Sequence, residues 1–275
     1  MIMSLAVSDC VPENSPCPLK GNLFECIDRA KGLGYNGVEL HMRNAGQNDY
    51  YEIADYCAGA EMKVTTIGTG MAYYADGHYM TNPDREARRQ AARVLIDFIE
   101  AGSILGGAAV MFGLMKGPLP DPRQREEYKN RLFQALLPVA EAAERFQCGL
   151  TIEAINRFQS DYLWTAEETL EFVSRFKSQW VTVHLDTFHM NIEERDMGQA
   201  IRDCGGSLGH FHFSDSDRCY PGHGHIDFGA CVDALFDIGY MDGGIGGHEY
   251  LAGTDGATAA SEGLNFIQNI IKMRC

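Results

Sequence analysis

The sequence predicts an α/β fold, a (β/α)8 barrel, on three observations. Short apolar runs alternate with longer amphipathic stretches eight times along the 275 residues, and eight such units close a parallel barrel. The length suits one barrel domain, which we expect to span 1–275. The alternative, an open doubly wound sheet, calls for a glycine-rich turn after the first strand. The sequence V-S-D-C-V-P stands there instead.

The strands are predicted from apolar and β-branched runs bounded by turn residues. They are 2–7, 37–40, 63–67, 108–112, 149–153, 181–186, 208–213 and 245–249. The helices are predicted between these runs, at about 19–33, 49–60, 84–105, 123–147, 166–178, 195–203, 227–239 and 255–272. The third follows Asn82 and Pro83, a capping pair with proline in the first turn. The fourth carries Leu132, Leu136 and Val139 at helical spacing.

Charge and cysteine usage exclude several classes of protein. The 23 Lys and Arg residues against 38 Asp and Glu residues give a net charge of −15, which opposes binding to nucleic acids and anionic membranes. No apolar run approaches the ~18–20 residues that cross a bilayer, and the first residues lack the basic region of a signal peptide. The nine cysteines are scattered without a C-x-x-C pair. We therefore expect a cytoplasmic protein with reduced thiols.

Polar residues end four consecutive predicted strands, where the active sites of barrels lie. These residues are Glu153, Asp186, His212 and Glu249. Three crowded carboxylates need a positive charge to stay ionised, and oxygen-rich ligands with one imidazole suit Mn²⁺, Co²⁺ or Mg²⁺. Each residue alone also fits a turn or a helix cap. His184 and His210 are interpreted as hydrogen-bonded core residues.

Three segments around these residues carry a resemblance to a known family. Glu153 is followed by N-R-F at 156–158, residues 185–194 read L-D-T-F-H-M-N-I-E-E, and H-F-H at 210–212 precedes D-R and P-G-x-G. In these segments the sequence resembles the xylose isomerase-like TIM-barrel superfamily. Within that superfamily it is most similar to the ketose 3-epimerases of the D-tagatose/D-psicose 3-epimerase group.

The resemblance implies a site and a cofactor. It implies that Glu153, Asp186, His212 and Glu249 bind one divalent metal ion, Mn²⁺ or Co²⁺ in the first place, with Mg²⁺ or Zn²⁺ as alternatives. Glu153 and Glu249 would also be the acid/base pair, while His189 and Arg218 would contact a carbohydrate substrate. Relatives of this kind form dimers or tetramers, so we expect a homo-oligomer.

Two positions depart from the family pattern. Gln159 stands where the epimerases carry an acidic residue that holds the substrate, and an amide hydrogen-bonds a hydroxyl without a charge. Trp164 stands where the family has a smaller residue. We expect both side chains to lie at the substrate, so the identity of the sugar stays open. Glu249 also lies in an unusual context, G-G-H-E-Y.

These residues predict a metal-dependent sugar epimerase or isomerase. Proton removal beside a carbonyl and its return to the opposite face need two carboxylates on opposite walls, and the cation stabilises the enediolate as a Lewis acid. The resemblance favours a ketose 3-epimerase acting on a free monosaccharide. A sugar-acid or inositol-type dehydratase and an aldose–ketose isomerase remain alternatives. A nuclease is opposed by the charge, and a non-enzymatic sugar-binding protein by the intact ligand set.

Loops complete the predicted site. The segments 68–83 and 113–122 contain aromatic, methionine and proline residues that suit either a lid or a subunit contact. His223 and His225 form an H-x-H pair. The flanking glycines favour a loop at the rim of the substrate site over a second metal site.

Overall fold

The computed structural model describes residues 1–253 and 255–274 and contains nine strands within them. The strands are β1 (Ile2–Ser8), β2 (Leu19–Lys20), β3 (Gly37–His41), β4 (Lys63–Gly68), β5 (Ala109–Phe112), β6 (Leu150–Glu153), β7 (Val181–Asp186), β8 (Leu208–His212) and β9 (Ile245–His248). All eight predicted strands are present, with bounds that shift by one residue at most.

The sheet closes on itself. The barrel strands follow one another in chain order, every pairing is parallel, and β9 pairs with β1. This closed eight-stranded barrel confirms the predicted fold class and excludes the open doubly wound sheet. The extra strand β2 pairs with the carboxyl end of β1, where Val7 lies beside Leu19.

Helices surround the barrel. They are α1 (Leu23–Gly32), α2 (Tyr50–Gly59), α3 (Gly70–Tyr74), α4 (Arg85–Ile104), α5 (Arg125–Phe146), α6 (Ala166–Ser174), α7 (Thr187–Glu193), α8 (Met197–Cys204), α9 (Phe228–Asp237) and α10 (Gly256–Lys272). The eight predicted helices are all present. The first begins at Leu23 rather than 19, because Leu19 and Lys20 pair with β1. The short helices α3 and α7 were not predicted.

The barrel interior is polar near its carboxyl end. Four strands each carry a pair of polar residues two positions apart. The pairs are Glu39 and His41 on β3, Thr151 and Glu153 on β6, His184 and Asp186 on β7, and His210 and His212 on β8. Side chains two positions apart share one face of a strand. The apolar core lies between the barrel and its helices, as Phe211 and Phe213 on and after β8 illustrate. The fold therefore stacks two polar layers beneath the mouth of the barrel.

Within residues 1–253 and 255–274, no helix is both long enough and apolar enough to span a membrane.

A substitution at Gly102 on α4 tests how closely this helix packs against the barrel. A Cβ at this position would lie 2.2 Å from the backbone oxygen of Ala108 and 2.7 Å from Cys148 Sγ. We expect Gly102→Ala to lower the free energy of unfolding by about 1–3 kcal/mol through overpacking, measured by urea denaturation. Gly59→Ala is the control, since no atom lies within 4 Å of its Cβ. Equal stability of the two variants would contradict this packing.

Candidate functional site

The predicted ligand residues converge at the carboxyl end of the barrel. Glu153, Asp186 and His212 end β6, β7 and β8, and each offers a ligand atom within 4.8 Å of the others. Glu249 follows β9 directly, and its Oε2 lies 3.7 Å from His212 Nδ1. The parallel register accounts for the convergence, because Asp186 pairs with His212 and His212 pairs with Gly247.

Hydrogen bonds orient the Asp186 carboxylate. Its Oδ1 accepts from the backbone N–H of Phe188 at 2.8 Å and from Ser214 Oγ at 3.2 Å. Asp186 is thus the N-cap of α7, as expected of an aspartate before a helix. The same contacts leave Oδ2 directed toward His212 Nδ1, 3.6 Å away.

Arg218 lies between the two acidic sides of the site. Its guanidinium donates to Asp186 Oδ2, to Glu249 Oε2 and, at 3.1 Å, to Ser214 Oγ. Burial of Asp186 opposes its ionisation, but Arg218, His212 and His189 together outweigh burial and hold the pKa of Asp186 well below its ordinary value. Arg218 itself has a φ of +64°, and a positive φ is uncommon outside glycine.

His212 is held by a residue that the sequence did not reveal as part of the site. Its Nε2 contacts Glu39 Oε2 at 2.9 Å, and both side chains are buried. Burial opposes protonation of His212, yet the carboxylates of Glu39 and Asp186 outweigh it and raise the pKa of His212 well above its ordinary value. The buried Nδ1 has no hydrogen-bond partner among the described residues.

The donor set fits a divalent cation. Glu153, Asp186 and Glu249 supply carboxylate oxygens, and His212 Nδ1 is an unpartnered buried nitrogen on the same side. Buried polar atoms without partners in a native site call for an explanation, and a cation held by three oxygens and one nitrogen supplies one. The structure thus brings all four predicted ligands together.

His189 and its neighbours form the adjacent wall. Asn156 Oδ1 accepts from the backbone N–H of Phe158 at 3.0 Å, which directs its amide nitrogen toward His189 Nδ1 at 2.7 Å. The amide donates, so neutral His189 carries its proton on Nε2. That nitrogen lies 3.5 Å from Glu153 Oε1. Asn156 also donates to Gln159 Oε1 at 3.2 Å, a positioning role that the sequence did not predict.

A cavity of about 590 Å³ opens above these residues. Its lining includes five predicted site residues, namely Glu153, Gln159, His189, Arg218 and Glu249. Both predicted lid segments also line the cavity, through Met71, Tyr74 and Leu114. Residues 11–12 and 14–17 line it as well, although the sequence did not predict them there. A cavity of this size with convergent polar groups is typical of a small-molecule site.

The buried side chain of Lys116 contacts the backbone of Glu153. Its side chain is only 1% exposed, and its ammonium donates to the backbone oxygen of Glu153 at 2.9 Å. Burial lowers the pKa of Lys116 to about 8, against the opposing attraction of Glu153 and Glu168. Sequence reasoning missed this residue because its segment was interpreted as a lid.

Trp164 lies elsewhere than expected, and the two histidines of the H-x-H pair have separate contacts. Trp164 does not line the cavity in the described part of the chain. Its Nε1 donates to the Ser160 backbone oxygen at 2.6 Å, and the Arg125 guanidinium covers its ring at 4.1 Å. His223 contacts Asp217 at 2.6 Å whereas His225 contacts Ser216 at 2.9 Å. The two imidazoles therefore engage different partners.

His184 and His210 also correct an expectation. Both are buried, but neither ring makes a hydrogen bond among the described residues. They stack edge to face with each other and with His212, with ring centroids 4.3–4.7 Å apart. Aromatic packing therefore holds His184, while His210 also lies 3.3 Å from Glu39 Oε1 through its Nε2.

Known proteins share the barrel fold of this chain. The family described as xylose isomerase-like TIM barrel matches residues 27–270. L-ribulose 3-epimerase of Mesorhizobium japonicum is 36% identical over 201 residues, which are 70% of this chain and 67% of that protein. D-psicose 3-epimerase of Enterocloster bolteae is 30% identical over 231 residues, 80% and 74% of the two chains. A solved structure of L-ribulose 3-epimerase has a TM-score of 0.83 at 27% identity, covering 98% of this chain and 94% of that one.

The buried Lys116 predicts a pH-dependent difference in stability. An unfolded lysine has a pKa near 10.4, so the folded state with its pKa of about 8 releases the proton first. The stability of the parent relative to Lys116→Met should therefore rise between pH 8 and 10.5, by roughly 3 kcal/mol in all. Urea denaturation across this range measures the difference, with Lys177→Met as the control at an exposed lysine. A difference independent of pH would contradict the buried ammonium.

Proposed function

Since the chain belongs to the xylose isomerase-like TIM-barrel family, we propose that it is a divalent-cation-dependent ketose 3-epimerase acting on a free monosaccharide. One observation carries the proposal: Glu153, Asp186, His212 and Glu249 converge beside a cavity of about 590 Å³. The relatives whose names are L-ribulose 3-epimerase and D-psicose 3-epimerase support the same reaction. An epimerase is an isomerase.

Glu153 and Glu249 are the proposed acid/base pair. Epimerisation removes a proton from a carbon beside a carbonyl and returns one to the opposite face, so two carboxylates from different walls suit it. Glu153 ends β6 and Glu249 follows β9, with β7 and β8 between them. Burial opposes ionisation of Glu153, but His184 and His189 outweigh it and lower its pKa to about 2. Glu153 is thus ionised at neutral pH and able to accept a proton.

Three side chains are proposed to hold the sugar. His189 offers its Nε2 proton to a substrate oxygen because Asn156 already donates to Nδ1. Gln159 has its Oε1 occupied by Asn156, so its amide nitrogen is the group left to donate to a hydroxyl. Arg218 supplies further donors and keeps its charge at any physiological pH. Because Gln159 is neutral, it binds a hydroxyl without the attraction of a carboxylate.

The proposed cation ligands are Glu153, Asp186, His212 and Glu249. When bound, Mn²⁺ or Co²⁺ would act as a Lewis acid that stabilises the negative charge of the deprotonated substrate. The chain's own contribution is the fixed arrangement: Phe188 and Ser214 orient Asp186, while Glu39 holds His212. Mg²⁺ and Zn²⁺ are the alternative ions.

We also propose the partners, the cellular location and the assembly of the enzyme. The net charge of −15 supports a chain that binds neither nucleic acid nor membrane surfaces. The eight cysteines that the structure describes are all unpaired, which supports a cytoplasmic location. We also propose that 1–275 form one domain and that the chain assembles as a homo-oligomer, a dimer or tetramer.

Removal of the cation tests the proposed reaction. The protein is stripped with a chelator, reloaded with Mn²⁺ or Co²⁺ and incubated with free ketoses, and products are separated by chromatography. We expect no epimer from the stripped protein and full recovery after reloading. Turnover that survives complete removal of metal would contradict the proposal. Loss of water from a sugar acid would favour the dehydratase, and an aldose product the isomerase.

Substitution of either glutamate tests the acid/base pair. We expect Glu153→Gln and Glu249→Gln each to lower kcat for epimer formation by about 10²–10⁴-fold, the usual contribution of a positioned acid or base. Glu144→Gln, at an exposed carboxylate of α5, is the matched control and should retain full activity. Each variant is assayed at saturating cation. Unchanged turnover of either site variant would refute the assignment of that residue.

A further inference from the structure

A buried carboxylate lies beneath the proposed cation site. Glu39 stands in the middle of β3 and is completely inaccessible to solvent. Its Oε2 contacts His212 Nε2 at 2.9 Å, and its Oε1 lies 3.3 Å from His210 Nε2. No proton transfer of the proposed reaction uses this carboxylate, although its burial is costly unless partners compensate it.

The barrel is shaped to admit the Glu39 side chain. Gly247 on β9 faces it, and a Cβ there would lie 1.9 Å from Glu39 Oε1 and 2.5 Å from His212 Cδ2. Only glycine leaves this space free. The Glu39 carboxylate is therefore held in contact with one proposed cation ligand.

We propose that Glu39 is a positioning residue that fixes the ring orientation and tautomer of His212 for the cation. The inference rests on the proposed function, because it presupposes the cation site at Glu153, Asp186, His212 and Glu249. Glu39 Oε2 accepts the proton of His212 Nε2, so the lone pair of Nδ1 is directed to the side where Asp186 and Glu249 lie 3.6 and 3.7 Å away.

The chemistry of the two groups gives the direction of this effect. An ionised carboxylate only accepts hydrogen bonds, and a neutral imidazole carries one N–H. When the ring is neutral, as a cation ligand must be, the contact at Nε2 leaves Nδ1 as the free donor of an electron pair. A carboxylate behind a histidine ligand also increases its basicity, and loss of such a partner usually costs 10- to 100-fold in metal affinity.

A purely structural role for Glu39 predicts a different result. Its contact with His210 alone would stabilise the barrel interior without changing the affinity for a cation. The two roles are separated by comparing cation affinity with the stability of the cation-free protein. Thr66 offers a matched control, because it is paired with Glu39 in the β3–β4 register and is equally buried, and its hydroxyl has no described hydrogen-bond partner.

The experiment measures the dissociation constant for Mn²⁺ by calorimetry on chelator-stripped protein, together with urea unfolding of the same samples. We expect Glu39→Gln to weaken Mn²⁺ binding 10- to 100-fold and Thr66→Val to leave it within twofold of the parent. An affinity of Glu39→Gln within twofold of the parent would overturn the proposal. Failure of the parent itself to bind Mn²⁺ would overturn the cation site, and with it the proposed function.

A second measurement does not depend on the folding of a variant. Nitrogen-15 NMR of histidine-labelled parent protein, loaded with diamagnetic Mg²⁺, reports which nitrogen of His212 carries the proton. We expect a slowly exchanging proton on Nε2, hydrogen-bonded to Glu39. A proton on Nδ1 of His212 would overturn the proposal even if Glu39→Gln fails to fold.

Discussion

The crowding of carboxylates at one end of the barrel is the constraint on which the rest of the site depends. Glu153, Asp186, Glu249 and Glu39 all lie in contact with the same small group of imidazole and guanidinium side chains. Like charges at such distances raise one another's pKa unless positive groups compensate them. The buried Arg218 and the demand for a divalent cation are both consequences of that concentration of negative charge.

The strands place the polar side chains of the barrel interior in two layers. Alternation along each strand places Asp186 above His184 and His212 above His210. The cavity lining takes in His212 of the upper layer and His184 of the lower one. The lower layer holds the upper one by aromatic stacking and through Glu39. Loops then complete the cavity, with Asn156 orienting His189 from the segment after β6. A rigid scaffold of this kind suits proton transfer, which depends on fixed distances.

Local sequence predicted the barrel well because each strand is an apolar run bounded by turn residues. The helices α3 and α7 escaped prediction because five and seven residues are too few to display a helical period. The convergence of the four proposed ligand residues was predictable because they stand at strand ends. Glu39 was missed although G-V-E-L-H repeats the polar–apolar–polar pattern of the later strands, since its partner His212 lies 173 residues away. Trp164 was misplaced because sequence spacing does not show that Arg125 covers its ring.

In the proposed reaction, two glutamates exchange a proton at a carbon beside a carbonyl. Incubation of the Mn²⁺-loaded protein with free ketoses in D₂O, followed by NMR, tests this proton exchange. We expect deuterium to enter at C3 of the accepted ketose while its C3 epimer appears, and C1 to stay unlabelled. Deuterium found only at C1 or C2, or no exchange with any ketose despite one bound cation, would contradict it.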